Sequence, residues 1–139
     1  MDDTFTFPVN VRYLEVDAQG VVFNMWYLAY FDDAMTAYLA HRGLPYDEMT
    51  AAGHDVMLVH TELDWHGGVA WNDPIVVAVS LARLGSTSFT LDFQVRRAGE
   101  VVVDGRTVYV VIGTDGSGKR PIPDLLRDAL GPERPLRPL

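Results

Sequence analysis

The sequence predicts an α+β fold in which one antiparallel sheet wraps around a single long helix. Three observations lead there. Residues 24–42 carry apolar side chains at helical spacing around most of the circumference, and such a helix must be surrounded by other structure. Residues 55–113 then switch to a period of two, in long segments separated by short turn signals. Strands joined by tight turns run antiparallel, and a curved sheet covers a lone helix from several directions.

Taken in order, residues 5–13 (FTFPVNVRY) read as a strand. Pro8 confines it to a sheet edge or a bulge, because proline donates no ladder hydrogen bond. A loop follows over 14–20. The helix over 24–42 opens at Asn24, a candidate N-cap, and stops at Gly43 and Pro45. Tyr27, Phe31, Ala34 and Tyr38 form one apolar stripe, and Leu28, Met35 and Leu39 a second. Trp26 and Tyr30 widen the apolar surface, while Asp32, Asp33, Thr36, His41 and Arg42 are its polar part. Residues 46–52 read as a further short helical turn.

Strands are predicted over 55–66, 74–84, 87–97 and 100–113. The third alternates cleanly, with Phe89, Leu91, Phe93 and Val95 on one face and Thr90, Asp92, Gln94 and Arg96 on the other. Gly85-Ser86 and Ala98-Gly99 stand where hairpin turns belong. The last strand is apolar on both faces, with Val108, Val110 and Ile112 opposite Tyr109 and Val111. No helix remains to cover its second face, which predicts association between copies of the chain. From Thr114 onward the composition changes, and five of the eight prolines lie there. The chain therefore divides into a domain over 1–113 and a Pro-rich extension over 114–139. The extension holds one short helix at 123–130 and ends in an extended tail, GPERPLRPL.

Composition bounds the function. The chain has 139 residues, 48% hydrophobic and 22% charged, which is the profile of one globular domain. No apolar run approaches the ~20 residues of a membrane span. The acidic start, MDDTF, is unlike a secretory leader. The absence of Cys excludes disulfides, thiolate chemistry and Cys-based zinc sites. A cytoplasmic protein is the expectation. Residues 1–113 carry a net charge of −9 and residues 114–139 a net of +1. So acidic a body repels a phosphate backbone, and a nucleic-acid partner is not expected.

The chemistry concentrates in the loop Val16-Asp17-Ala18-Gln19-Gly20-Val21-Val22-Phe23-Asn24. It sets a carboxylate just ahead of a helix start. The first amides of a helix lack intrahelical partners and carry partial positive charge, so they stabilise a developing oxyanion. A neighbouring carboxylate attacks a carbonyl or activates water to do so. Gly20 permits a tight turn or close approach of a substrate. The competing reading of Asp17 is a loop residue closing its own backbone turn. The histidines at 41, 54, 60 and 66 have no metal-ligand spacing, and no metal site is predicted. His60 is either a pocket-lining side chain or a plain sheet histidine, and His66-Gly67-Gly68 reads as a turn. There is no G-x-S-x-G nucleophile elbow. Gly116-Ser117-Gly118-Lys119 lacks the spacing of a phosphate loop.

The runs Val11-Arg12-Tyr13-Leu14-Glu15-Val16-Asp17-Ala18-Gln19-Gly20-Val21-Val22-Phe23, Tyr27-Leu28-Ala29-Tyr30-Phe31-Asp32-Asp33-Ala34 and Gly43-Leu44-Pro45 resemble the 4-hydroxybenzoyl-CoA thioesterase branch of the hotdog-fold acyl-CoA thioesterases. The similarity continues through Asn72-Asp73 and the hairpin Gly85-Ser86-Thr87-Ser88-Phe89, over about residues 5–113. It implies a helix held in a curved sheet, an acyl-CoA substrate, no cofactor beyond that coenzyme A, and active sites at the interface of a dimer, often within a homotetramer. It also implies that Asp17 is the catalytic carboxylate, with Gly20 and the backbone at Val22 and Phe23 holding the thioester carbonyl. Candidate substrate contacts are Asn24, Tyr27 and Asp32 at the helix, His60 in a strand, and Arg83, Ser86 and Ser88 at the hairpin. Asp32 matches a position that faces the acyl end in aromatic-acyl members.

Two departures stand out. Many short-chain relatives have His in place of Asn24 and Arg in place of Met35, so this pocket is expected to be more apolar. The hairpin is neutral where some relatives are basic, which leaves coenzyme A phosphates to Arg83, Arg96, Arg97 or a partner subunit. A dehydratase of the same fold would set a His against the carboxylate, and none lies between Asp17 and Asn24. A non-catalytic module that binds acyl-CoA or an acyl carrier is the alternative from another class.

Overall fold

The computed structural model describes residues 3–139. Its elements are β1 (Phe5–Val9), a 3-10 turn (Tyr13–Glu15), α1 (Trp26–His41), α2 (Tyr46–Ala51), β2 (His54–Trp65), β3 (Ile75–Leu84), β4 (Ser88–Arg97), β5 (Glu100–Gly113) and α3 (Asp124–Leu130). The strands form one antiparallel sheet in the order β1-β3-β4-β5-β2, so β1 and β2 are its edges. Pro8 thus sits in an edge strand, where its missing N–H costs no ladder bond.

The sheet curls around α1. Tyr27, Phe31, Ala34, Tyr38 and Leu39 share a core with Val77, Val79, Leu81, Leu91, Phe93 and Val95. Burying each large apolar side chain there contributes roughly 1.5–3 kcal/mol. Phe31 stacks on Phe93 at 4.7 Å between ring centres. Gly105 of β5 makes room for it, since a Cβ there would lie 2.4 Å from the Phe31 ring. Leu126, Ala129 and Leu130 of α3 join the same core. The Tyr38 hydroxyl donates to the Leu130 carbonyl at 2.7 Å, and Arg42 Nε donates to that of Ala129.

Three expectations need correction. The first strand ends at Val9 rather than residue 13, because Glu15 captures the chain locally: its carboxylate accepts the Arg12 amide at 2.9 Å and its own amide donates to the Arg12 carbonyl at 3.0 Å. Asn24 does not cap α1. Residues 24 and 25 form a turn closed by Trp26 N–H on the Phe23 carbonyl at 3.0 Å, so the cap position falls on Met25, with no side-chain cap. The tail is extended but docked. The Arg134 amide donates to the Leu81 carbonyl at 2.7 Å, the Leu136 amide to Asp92 Oδ2 at 2.8 Å, and the Arg106 guanidinium to the Arg137 and Pro138 carbonyls. It therefore covers part of the outer sheet face that the sequence leaves bare. Among the described residues no helix is long and apolar enough to cross a membrane.

Candidate active site

The loop before α1 is a small hairpin of its own. Val16 and Val22 bridge antiparallel, Asp17 N–H donates to the Val21 carbonyl at 2.9 Å, and Gly20 N–H to the Asp17 carbonyl at 3.0 Å. Gly20 adopts φ +80°, which only glycine takes without strain. The half-buried Asp17 carboxylate accepts the Gln19 amide on Oδ1 at 2.8 Å. It does therefore close its own turn. Its Oδ2 has no hydrogen-bond partner among the described residues.

The amides expected to hold a carbonyl are already engaged. Val22 N–H donates to the Val69 carbonyl at 2.8 Å and Phe23 N–H to the Glu15 carbonyl at 2.9 Å. Between Phe23 and Trp26, the amides of Asn24 and Met25 have no hydrogen-bond partner among the described residues. They lie directly before α1, where the helix dipole adds positive character.

Asn24 and Tyr27 line a cleft of about 300 Å³ with Val21, Val22, Trp65 and the His66-Gly67-Gly68 turn. The sequence alone reads that segment as a turn. It is one, but it also forms a wall of the cleft, with Gly68 packed on Val21. Burial pushes the Tyr27 hydroxyl up; a hydrogen bond with the Val69 backbone and the charge of Arg97 oppose this, and Asp17 adds to the rise. Asp17 thus acts electrostatically on a group that lines the cleft. Arg97 holds the cleft-side loop through the Gly68 carbonyl at 2.7 Å and Asp73 at 3.0 Å.

Asp32 stands eight residues beyond Asn24, about 12 Å along the helix. It lines a second cavity of about 350 Å³ with Met35, Thr36, Tyr46, Asp55 and Val56. Burial, then the neighbouring Asp33, hold its carboxyl above the ordinary value. Tyr46 donates its hydroxyl to Asp55 at 2.9 Å.

The remaining candidates are not gathered with these. His60 is exposed on β2, 3.9 Å from Glu62, and lines neither cavity; the pocket-lining expectation for it is not met within one chain. Arg83, Ser86 and Ser88 lie at the β3–β4 hairpin, the opposite end of the sheet from Asp17. Ten-residue strands separate the two ends by roughly 30 Å. The hairpin is less neutral than its own residues indicate. The C-terminal segment crosses it, with Ile122 N–H on the Ser86 carbonyl and the Arg127 guanidinium 3.1 Å from the Gly85 carbonyl. Only the charge excess after residue 114 hinted at such a contribution. Among the described residues no group of three or more His, Cys, Asp or Glu is placed to hold a metal ion.

The chain is similar to known proteins over most of its length. Residues 11–130 match the model of the thioesterase-like superfamily. A 1,4-dihydroxy-2-naphthoyl-CoA hydrolase of Synechococcus elongatus is 23% identical over 128 residues, 91% of this chain and 94% of that protein. An acyl-CoA thioester hydrolase of Escherichia coli is 22% identical over 107 residues, 77% and 80% of the two chains. The crystal structure of a hypothetical protein from Aquifex aeolicus superposes with a TM-score of 0.87 at 25% identity, over 91% of this chain and 99% of that one. The expected hotdog fold is the fold of this chain, a five-stranded antiparallel sheet around one long helix. The chain belongs to the thioesterase-like superfamily.

Proposed function

We propose that the protein hydrolyses acyl-CoA thioesters to the free acid and coenzyme A, in the cytoplasm and with no cofactor beyond the substrate's own coenzyme. The observation that supports this reading is a carboxylate with an unoccupied oxygen in the loop before α1, near enough to act on the Tyr27 hydroxyl, beside two unpaired amides at the helix start, of which Asn24, like Tyr27, lines the cleft. The thioester carbonyl oxygen sits on the Asn24 and Met25 amides, which replace Val22 and Phe23 in the expected role. Asp17 Oδ2 then either removes a proton from water as the water oxygen bonds to the carbonyl carbon, or bonds to that carbon itself. In both routes the C–S bond breaks and the thiolate leaves. In the second, water cleaves the resulting mixed anhydride.

The working unit in this reading is at least a dimer, and a tetramer in the pattern of the 4-hydroxybenzoyl-CoA thioesterase branch. Edge strand β2 carries Met57, Leu58 and Val59, each about half exposed. A twofold pairing of two β2 edges inverts their ends. It sets the Trp65 end of one copy, with its Asp17 loop and the cleft at Asn24, beside the His54 end of the other, with its hairpin and Asp32 cavity. Arg83, Ser86, Ser88 and Arg127 of a second copy then reach coenzyme A phosphates, and Asp32 meets the acyl end. Arg83 and Arg127 have no carboxylate partner among the described residues, whereas Arg97 is committed to Asp73.

The test is Asp17→Asn, assayed by thiol release across short, long and hydroxyaromatic acyl-CoAs. Turnover is expected to fall ~10²- to 10⁴-fold. Unchanged turnover in a folded variant would end the proposal.

A further inference from the structure

Glu15 is a buried carboxylate that the proposed chemistry does not use, and it touches both arms of the site. We propose that Glu15 is the positioning residue that holds Asp17 and the Asn24 amide in register, acting through Arg12 and Tyr30. The inference rests on the hydrolytic reading above.

The geometry is specific. Glu15 is 3% exposed. Its Oε1 accepts the Tyr30 hydroxyl at 2.7 Å and the Arg12 amide at 2.9 Å, and its Oε2 accepts Arg12 Nε at 2.8 Å. Tyr30 and Trp26 are four residues apart on one face of α1. The Arg12 guanidinium stands over the Trp26 ring at 5.7 Å. One carboxylate and one guanidinium therefore dock the 3-10 turn onto the first two turns of α1. Two residues after Glu15 stands Asp17. The carbonyl of the same Glu15 takes the Phe23 amide, and the next amide in the chain is the unpaired one of Asn24. A displacement of residue 15 moves the carboxylate and the carbonyl-binding amide relative to each other.

Glu15 does not reach the reacting atoms. It lines a separate cavity of about 320 Å³ with Pro8, Asn10, Trp26, Ala29 and Asp33, and is absent from the wall of the cleft that Asn24 and Tyr27 line. Burial works against its charge, but the Arg12 amide, the Tyr30 hydroxyl and the Arg12 guanidinium together hold its carboxyl below the ordinary value. Tyr30 is pushed the other way, by burial and by Glu15 itself, and stays a donor. The clamp is thus charged and complete under assay conditions. Misplacing reacting groups by about 1 Å costs on the order of 10²-fold in rate.

The experiment compares Glu15→Gln, Tyr30→Phe and Asp17→Asn by steady-state kinetics and thermal melting in the full-length protein. Glu15→Gln keeps the shape and removes the charge; Tyr30→Phe keeps the ring and removes one donor. The expected result is a kcat ~10- to 100-fold lower in Glu15→Gln, a smaller loss in Tyr30→Phe, and KM within about twofold of the parent in both. A role in stability alone would lower the melting temperature and leave kcat per folded enzyme intact. That outcome, or a raised KM at unchanged kcat, overturns the clamp. If Glu15→Gln does not fold, Tyr30→Phe decides by the same criterion. Turnover lost in Asp17→Asn but kept in both clamp variants overturns the clamp alone. Turnover kept in Asp17→Asn overturns the hydrolytic reading and the clamp with it.

Discussion

At the scale of single residues, Asp32, an exposed side chain with a partly desolvated carboxyl, offers a measurable consequence of its surroundings. Its surroundings favour the protonated form, so the folded chain holds that proton more tightly than the unfolded one. Between the ordinary carboxylate value, about 3.9, and the raised one, the native state binds more protons. Stability from this group therefore falls as pH rises through that window, and the deficit persists at neutral pH. Asp32→Asn is expected to melt higher than the parent at pH 7, with the gap closing below about pH 3.9. Melting curves across that range check it; a gap independent of pH would contradict it. The same scale shows where sequence reading stops. Asp17, Gly20 and the helix start were legible as a constellation, because the chain itself makes them neighbours. Which amide is free was not. Val69 silences Val22, and the Glu15 carbonyl silences Phe23. The first of these partners is nearly fifty residues away, and local spacing carries no trace of it.

At the scale of elements, the period-two runs place β2 to β5 within a residue or two, since alternation reports directly which side chains face the core. The sequence does not reveal that β2 skips a residue: its register to β5 shifts between Leu58 and His60. Val59 is the extra residue, half exposed near the middle of an open edge. A twofold axis there would bring Val59 close to its own copy. Lysine is a residue that natural edge strands use to block such pairing, and like charges across a strand pair repel. Val59→Lys is therefore expected to sediment as a monomer. It should lose turnover at least ~10-fold, because the Asp17 end of the chain then lacks the far-end groups of a second copy. A monomer with full turnover would show that one chain is a complete site.

At the scale of the whole molecule, the charge split between body and extension is the signal that bears on the tail. Its arginines return to the body's acids: Arg134 to Asp3 at 3.1 Å, and Arg137 to Asp64 at 2.9 Å. The tail crosses β3, β4 and β5 in turn, at Leu81, Asp92 and Arg106, and ends at Asp64 of β2. Beneath it lies the Asp92–Arg106 pair, joined by two hydrogen bonds at 2.7 and 3.0 Å, with Asp92 only 1% exposed. Ser80, Asp92 and Arg106 are register partners on the outer face, and the tail lies over this pair, which is expected to depend on it for shielding from water. That dependence predicts a coupling. In the full chain Arg106→Met leaves a buried carboxylate without its cation and is expected to cost about 3–5 kcal/mol. In a chain ending at Gly131 the same pair is a surface pair, where the substitution should cost roughly 0–1 kcal/mol. Urea unfolding of the four proteins measures the difference as an interaction energy between tail and pair. Equal costs with and without residues 132–139 would mean that the sheet alone shields Asp92, and the tail would then be a passive covering rather than the element that makes this ion pair part of the interior.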